Sequence, residues 1–137
     1  MRILLVDDDV PSTEALKELL EAAGYTVACA ENGREALARL RGPETYCVIL
    51  LDVMMPVMNG YEFREAQLKE PQIASIPVIV ITADGRAREK AKQIGTDRFL
   101  QKPLSPPELL KAIQEYCPLR TDVAASSAAV PRGERPR

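Results

Sequence analysis

The chain contains no histidine and no tryptophan, and its aromatic content is only 4%. Without an imidazole, the Ser-His-Asp and Cys-His nucleophile systems and the usual zinc hydrolase site cannot be built. The chain also carries no phosphohistidine of its own. Acid–base and metal chemistry therefore falls to carboxylates, lysine, hydroxyls and thiols. No apolar run approaches the length of a membrane span. The start, Met1-Arg2-Ile3-Leu4-Leu5-Val6, meets Asp7 at once and does not read as a signal peptide. Cysteines are few and odd in number: Cys29, Cys47 and Cys117, widely and irregularly spaced. That predicts free thiols in a reducing cytoplasm rather than a disulfide frame or a zinc site. A dominant charge is missing too, since the net charge is -2, which gives no reason to expect nucleic acid or an anionic membrane as the main partner.

What is present fits one globular domain. The 137 residues are 46% apolar and 28% charged, enough for a real core but not for two ordinary domains. Ile3-Leu4-Leu5-Val6 is a short continuous apolar run, the pattern of a strand buried on both faces. Leu16, Leu19, Leu20 and Ala23 then share one helical face, and Gly24 ends that helix. Thr26 to Cys29 is a weaker second strand. Asn32 with Glu35 opens a helix as a capping box, and Gly42-Pro43 closes it. Cys47 to Leu51 is a strongly apolar third strand. A loop through Pro56 and Asn59-Gly60 leads to a helix from about Tyr61 to Lys69. A fourth strand runs from Pro77 to Ile81, and a polar helix from about Arg86 to Ile94 ends at Gly95. Arg98 to Gln101 is the fifth strand. Ser105-Pro106-Pro107-Glu108 opens a last helix that reaches about Tyr116.

Strand then helix, five times over, with nearly all-apolar central strands, predicts an α/β fold: a parallel sheet covered by helices on both sides. Right-handed crossovers limit the chain to a few doubly wound topologies. The domain is expected to span residues 1–117. Residues 118–137, rich in Ala, Ser, Pro and Arg without apolar periodicity, are expected to form a flexible tail or linker.

In an open parallel sheet, ligands bind beyond the carboxyl ends of the strands. Asp7, Asp8 and Asp9 follow strand one, Asp52 follows strand three, Thr82 follows strand four, and Lys102 follows strand five. Carboxylates, a hydroxyl and an ammonium thus gather at one edge from four distant segments. Carboxylates a few ångströms apart repel, so one is protonated or a cation sits among them. An all-oxygen set of this hardness suits Mg²⁺. Asp52, kept ionised by metal and Lys102, would then be free to act as a nucleophile, with Thr82 and Lys102 neutralising phosphoryl oxygens.

Val6-Asp7-Asp8, Leu50-Leu51-Asp52-Val53-Met54-Met55-Pro56 with Asn59-Gly60, Ile81-Thr82-Ala83 and Lys102-Pro103 resemble the signature of the response-regulator receiver domains of two-component systems, the superfamily of the chemotaxis regulators. The resemblance runs from about residue 1 to 117. It implies a flavodoxin-like five-stranded sheet of order 2-1-3-4-5 with five helices. It also implies that Asp52 accepts a phosphoryl group from a phosphohistidine on a histidine kinase or phosphotransfer protein. Asp7, Asp8, Asp52 and the backbone carbonyl of Met54 would ligate Mg²⁺, and Thr82 and Lys102 would hold the phosphoryl oxygens. Phe99 stands at the switching aromatic. Fourth helix, fifth strand and fifth helix would form the output face, open to an unknown target or to a phosphorylation-dependent homodimer. Met54 and Asp84 lie where dephosphorylation is tuned. The segment from Thr82 to Lys102 is about two residues shorter than is typical, and Thr96 and Leu104 replace alanine and phenylalanine.

Simpler roles compete at several positions. Asp9 is expected to be a solvated first-turn residue, and Asp84 a solvated loop residue. Asn59-Gly60 is read as a turn needing positive φ, Met54, Met55 and Met58 as gap-filling loop residues, and Phe99 as core as well as switch. Two other functions compete with the phosphoacceptor. One is a Mg²⁺-dependent phosphatase with an aspartyl nucleophile, which usually needs a second acid where Met54 stands. The other is a receiver-like adaptor that acts by binding alone.

Overall fold

The computed structural model describes residues 2–83 and 85–118. Asp84 and the expected linker beyond Pro118 lie outside the described residues. Five strands and five helices alternate: β1 Arg2–Val6, α1 Val10–Ala22, β2 Thr26–Ala30, α2 Gly33–Leu40, β3 Tyr46–Asp52, α3 Gly60–Leu68, β4 Val78–Thr82, α4 Ala87–Ile94, β5 Phe99–Gln101 and α5 Pro106–Gln114. All pairs are parallel and the strand order is β2-β1-β3-β4-β5. This is the flavodoxin-like doubly wound sheet that the resemblance implied.

The continuous apolar runs are explained by burial on both faces. Along the central strands, Leu4, Val6, Ile49, Leu51, Val78 and Val80 face one core, closed by Leu37 and Leu40 of α2, Phe63 of α3 and Ile94 of α4. The alternate residues Ile3, Leu5, Val48, Leu50, Ile79 and Ile81 face the other, closed by Leu20 of α1 and Leu109 and Ile113 of α5. Most of these side chains are fully buried, each contributing about 1.5–3 kcal/mol relative to exposure. Period-two alternation with both sets apolar leaves the strands no solvent face.

Helix ends follow the sequence signals with two corrections. Gly24 (φ 104) and Gly95 (φ 94) do adopt the left-handed conformation that stops α1 and α4. Asn32 accepts from the Glu35 amide, but the Glu35 carboxylate reaches back to the Glu31 amide, so the box closes one residue early. Ser105 makes no side-chain cap: Pro106 and Pro107 lack amide protons, and the Glu108 amide that remains in the first turn is not bonded by the Ser105 side chain. Asn59-Gly60 is not the positive-φ turn expected. Asn59 (φ -79) is the N-cap of α3, in a full capping box with Glu62. Gly60 is required instead by close approach, since a Cβ there would lie 2.6 Å from Val53 Cα. The left-handed residue of that loop is Val57, at φ 67.

The expectation of three free thiols is overturned. Cys47 and Cys117 form a disulfide, with Cα atoms 5.7 Å apart, and only Cys29 is free. Cys47 is the second residue of β3, and Cys117, three residues past the end of α5, continues the buried stripe of Leu109 and Ile113, so both reach the amino edge of the sheet. A sequence separation of 70 hides this proximity. Closing a loop of that length is worth roughly 4 kcal/mol in the chain-entropy picture.

Candidate functional site

The parallel register delivers the polar residues to one edge. Val6 is level with Leu51, Asp52 with Ile81, and Thr82 with Gln101, so Asp7, Asp52, Thr82 and Lys102 emerge together beyond the carboxyl ends. The order reverses between β1 and β3, which opens the crevice where such sheets bind ligands.

Asp7 is buried, Asp52 is 8% exposed, Thr82 is buried and Asp8 is exposed. Ligand oxygens of Asp7, Asp8 and Asp52 all lie within 4.8 Å of one another. The Lys102 ammonium donates to Asp7 Oδ2 at 2.7 Å. Asp7 Oδ1 accepts from the Asp9 amide at 3.0 Å, and Asp52 Oδ1 from the Met54 amide at 3.3 Å, so backbone donors orient both carboxylates. Burial, and after it the charge of Asp7, pushes the Asp52 carboxyl up to about 6, against the lowering effect of the Met54 amide and Lys102. Burial also works against the Lys102 ammonium, but its hydrogen bond to Asp7 and the charges of Asp7 and Asp52 outweigh that, and its pKa is raised.

The site holds more negative charge than one lysine offsets. A crevice with two buried carboxylates, one of them raised, and an exposed third is what a hard divalent cation relieves, so these residues fit such an ion.

The remaining predicted residues take varied positions. Thr82 is tied to the Lys102 strand by the Lys102 amide, which donates to the Thr82 carbonyl at 2.8 Å. The Met54 side chain is 63% exposed, so it packs nothing, whereas Met58 does fill a gap, against Gly33. Asp9 is solvated and accepts from the Ser12 hydroxyl. Phe99 is half-buried against the core, with the Arg88 guanidinium 5.4 Å from its ring centroid. Sequence reasoning missed Arg88, because the α4–β5 contact is tertiary. Thr96, one of the departures from the family pattern, donates to the Val78 carbonyl and so fastens the start of β5 to β4.

Val57 is the strained member of the loop that follows Asp52. A β-branched residue in the left-handed region costs about 1–2 kcal/mol, and here it is 70% exposed with little packing in return. Val57→Asn is expected to raise stability by about 1 kcal/mol in urea unfolding while leaving the acidic site intact.

The profile of the response regulator receiver domain matches residues 3–114. The transcriptional regulatory protein CpxR homolog of Haemophilus influenzae is 42% identical over 116 residues, covering 82% of this chain and 48% of that protein. The chain thus spans about half the length of that relative, as it does of several other curated relatives. The chemotaxis protein CheY4 of Vibrio cholerae superposes with a TM-score of 0.75 at 36% identity, covering 84% of this chain and 97% of CheY4. The receiver domain of sensor histidine kinase PA1611 from Pseudomonas aeruginosa, whose structure has a magnesium ion coordinated in the active site cleft, gives a TM-score of 0.76 at 28% identity over 84% and 95% of the two chains. With the fold, the acidic crevice and this match across most of its length, the chain belongs to the response regulator receiver domain family.

Proposed function

We propose that the chain is the phosphoacceptor of a two-component relay, and that Asp52 takes a phosphoryl group from a phosphohistidine on a histidine kinase or phosphotransfer protein. The observation that carries this reading is the Lys102 ammonium 2.7 Å from Asp7 beside a buried Asp52 whose oxygens lie within 4.8 Å of its acidic neighbours. An Asp52 carboxylate oxygen attacks phosphorus as the phosphorus–nitrogen bond breaks, and the imidazole leaves. Little covalent chemistry is asked of the protein beyond positioning and charge neutralisation. Asp7, Asp8, Asp52 and the Met54 carbonyl would hold Mg²⁺, which when bound offsets the carboxylates and the phosphoryl oxygens. Lys102 and the Thr82 hydroxyl pair with those oxygens after transfer. Phosphorylation is self-catalysed and slowly reversed, and Met54 and Asp84 tune the reversal.

The readout face is α4-β5-α5, where Phe99 responds to Thr82, and its target is a downstream protein or a second copy of the chain. Residues 118–137 are then a linker. The reading places the chain in the cytoplasm beside its donor; no helix among the described residues is long and apolar enough to cross a membrane. The hydrolase alternative lacks support at Met54, an exposed thioether that supplies no acid. The adaptor alternative would not need so charged a crevice.

Incubation with a small phosphodonor and Mg²⁺ is expected to add the mass of one phosphoryl group, lost again with hydroxylamine treatment of the acyl phosphate. No uptake from any small donor in the presence of Mg²⁺ would overturn the assignment.

A further inference from the structure

The bond between Cys47 and Cys117 lies at the amino edge of the sheet, opposite the acidic crevice. It fastens the last turn of α5, the point through which the chain leaves the described domain. Along α5, Leu109 and Ile113 are fully buried, and Cys117 continues the same stripe three residues beyond the last helical residue, Gln114. Around that turn Tyr116 and Cys117 pack against the apolar core, and polar ties add to this. The Tyr25 hydroxyl donates to the Cys117 carbonyl at 2.9 Å, and Arg98 bonds the Tyr116 hydroxyl and the Glu115 carboxylate at 3.0 Å. Only the disulfide joins the turn covalently to the sheet.

We infer that Cys47–Cys117 is a redox-modifiable site whose substrate is a protein or small-molecule dithiol, and that its reduction releases the last turn of α5 from β3. Two observations support a working bond rather than an inert staple. Both cysteines are nearly buried at the amino edge of the sheet, and the segment that carries Cys117, Glu115–Cys117, is non-helical, so a local opening of that short segment is enough to admit a thiol. The product thiol is also provided for, because the Arg2 carbonyl lies 3.4 Å from Cys47 Sγ and accepts its new proton. The third cysteine, Cys29, is part-buried, and burial raises its thiol pKa, which disfavours the thiolate that exchange needs.

The chemistry is a two-electron exchange. A thiolate of the dithiol attacks Cys117 Sγ, the sulfur–sulfur bond breaks, and Cys47 leaves as a thiolate that takes up a proton. The second sulfur of the dithiol attacks the mixed disulfide and releases Cys117, which is also protonated. The dithiol ends as its own disulfide, and a disulfide oxidant such as oxidised glutathione drives the reverse.

The inference stands on the position of the bond and does not need phosphoryl transfer at Asp52, so the two readings fail separately. Thiol counting with a maleimide, under denaturing conditions and after incubation with oxidised glutathione, is expected to find one reactive cysteine, and three after dithiothreitol. Hydrogen exchange by mass spectrometry is expected to show peptides covering residues 113–117 exchanging at least tenfold faster in the reduced protein, while β1 and the centre of β3 keep their protection. Cys117→Ser should reproduce the reduced pattern and lose the response to dithiothreitol, whereas Cys29→Ser should keep it. Three reactive thiols under oxidised glutathione, or equal exchange of α5 in both redox states, would overturn the proposal.

Discussion

Asp52→Asn is expected to reduce phosphoryl incorporation to background and, without metal at neutral pH, to give a protein more stable than the wild type. The first effect follows because an amide oxygen carries no charge to attack phosphorus and forms no acyl phosphate. The second follows from the raised carboxyl. Burial and the neighbouring Asp7 bring Asp52 to about 6, above the ordinary carboxylate value of 3.8. Between those two values the folded chain binds more protons than the unfolded chain, so stability falls as pH rises through that window. Above it the ionised Asp52 exerts its full penalty, which amounts to about 1–2 kcal/mol once solvent contact at the crevice is allowed for. Asparagine removes that penalty. Chemical unfolding in the presence of a chelator should show the advantage of the variant at pH 7 and its disappearance near pH 4. Adding Mg²⁺ should stabilise the wild type and leave the variant nearly unchanged. A wild type as stable as the variant at pH 7 would remove the crowded-carboxylate account of the site.

Lys102→Met is expected to act in the opposite direction. The Asp7 side chain has no solvent exposure, and it is ion-paired with the Lys102 ammonium at 2.7 Å. Removing the ammonium leaves a buried carboxylate beside Asp52 with the Asp9 amide as donor but without its ionic partner, a change worth about 2–4 kcal/mol. The lower end of that range applies, because Lys102 keeps a fifth of its side chain in solvent. The Lys102 pKa is raised in the fold, so its contribution is fully present below the unfolded lysine value and is lost only as pH rises through the folded one. The gap between variant and wild type should therefore hold from pH 6 to 9 and narrow in strong alkali. Mg²⁺ should recover most of the lost stability, since a divalent ion replaces the missing charge, but phosphoryl uptake should stay at least ~100-fold down for want of a partner on the phosphoryl oxygens. Urea unfolding with and without Mg²⁺, run beside the uptake assay, measures both. Stability equal to wild type in the chelated state would mean that the pair is solvated and does not organise the crevice.

Much of this protein was legible from residue order. Apolar runs of four or five residues, punctuated by helices with glycine stops, specify a two-sided parallel sheet because no other arrangement buries both faces of each strand. Position relative to the strand ends specified the crevice: Asp7, Asp52 and Thr82 each follow an apolar run directly, Lys102 follows the short strand ending at Gln101, and parallel strands bring their ends to one edge. Local signals were less certain where two devices share a motif. Asn59-Gly60 carries the composition of a tight turn and of a helix cap, and only the packing of Gly60 against Val53 chose the cap.

The tertiary structure alone decided the rest. The joining of Cys47 to Cys117 and the placing of Arg88 over Phe99 depend on where β3, α4, β5 and α5 lie in three dimensions. Composition, periodicity and capping are properties of neighbours along the chain, and they report burial and helix ends well. Contacts between distant side chains depend on strand order and helix placement, which residue order constrains only after the whole sheet has formed.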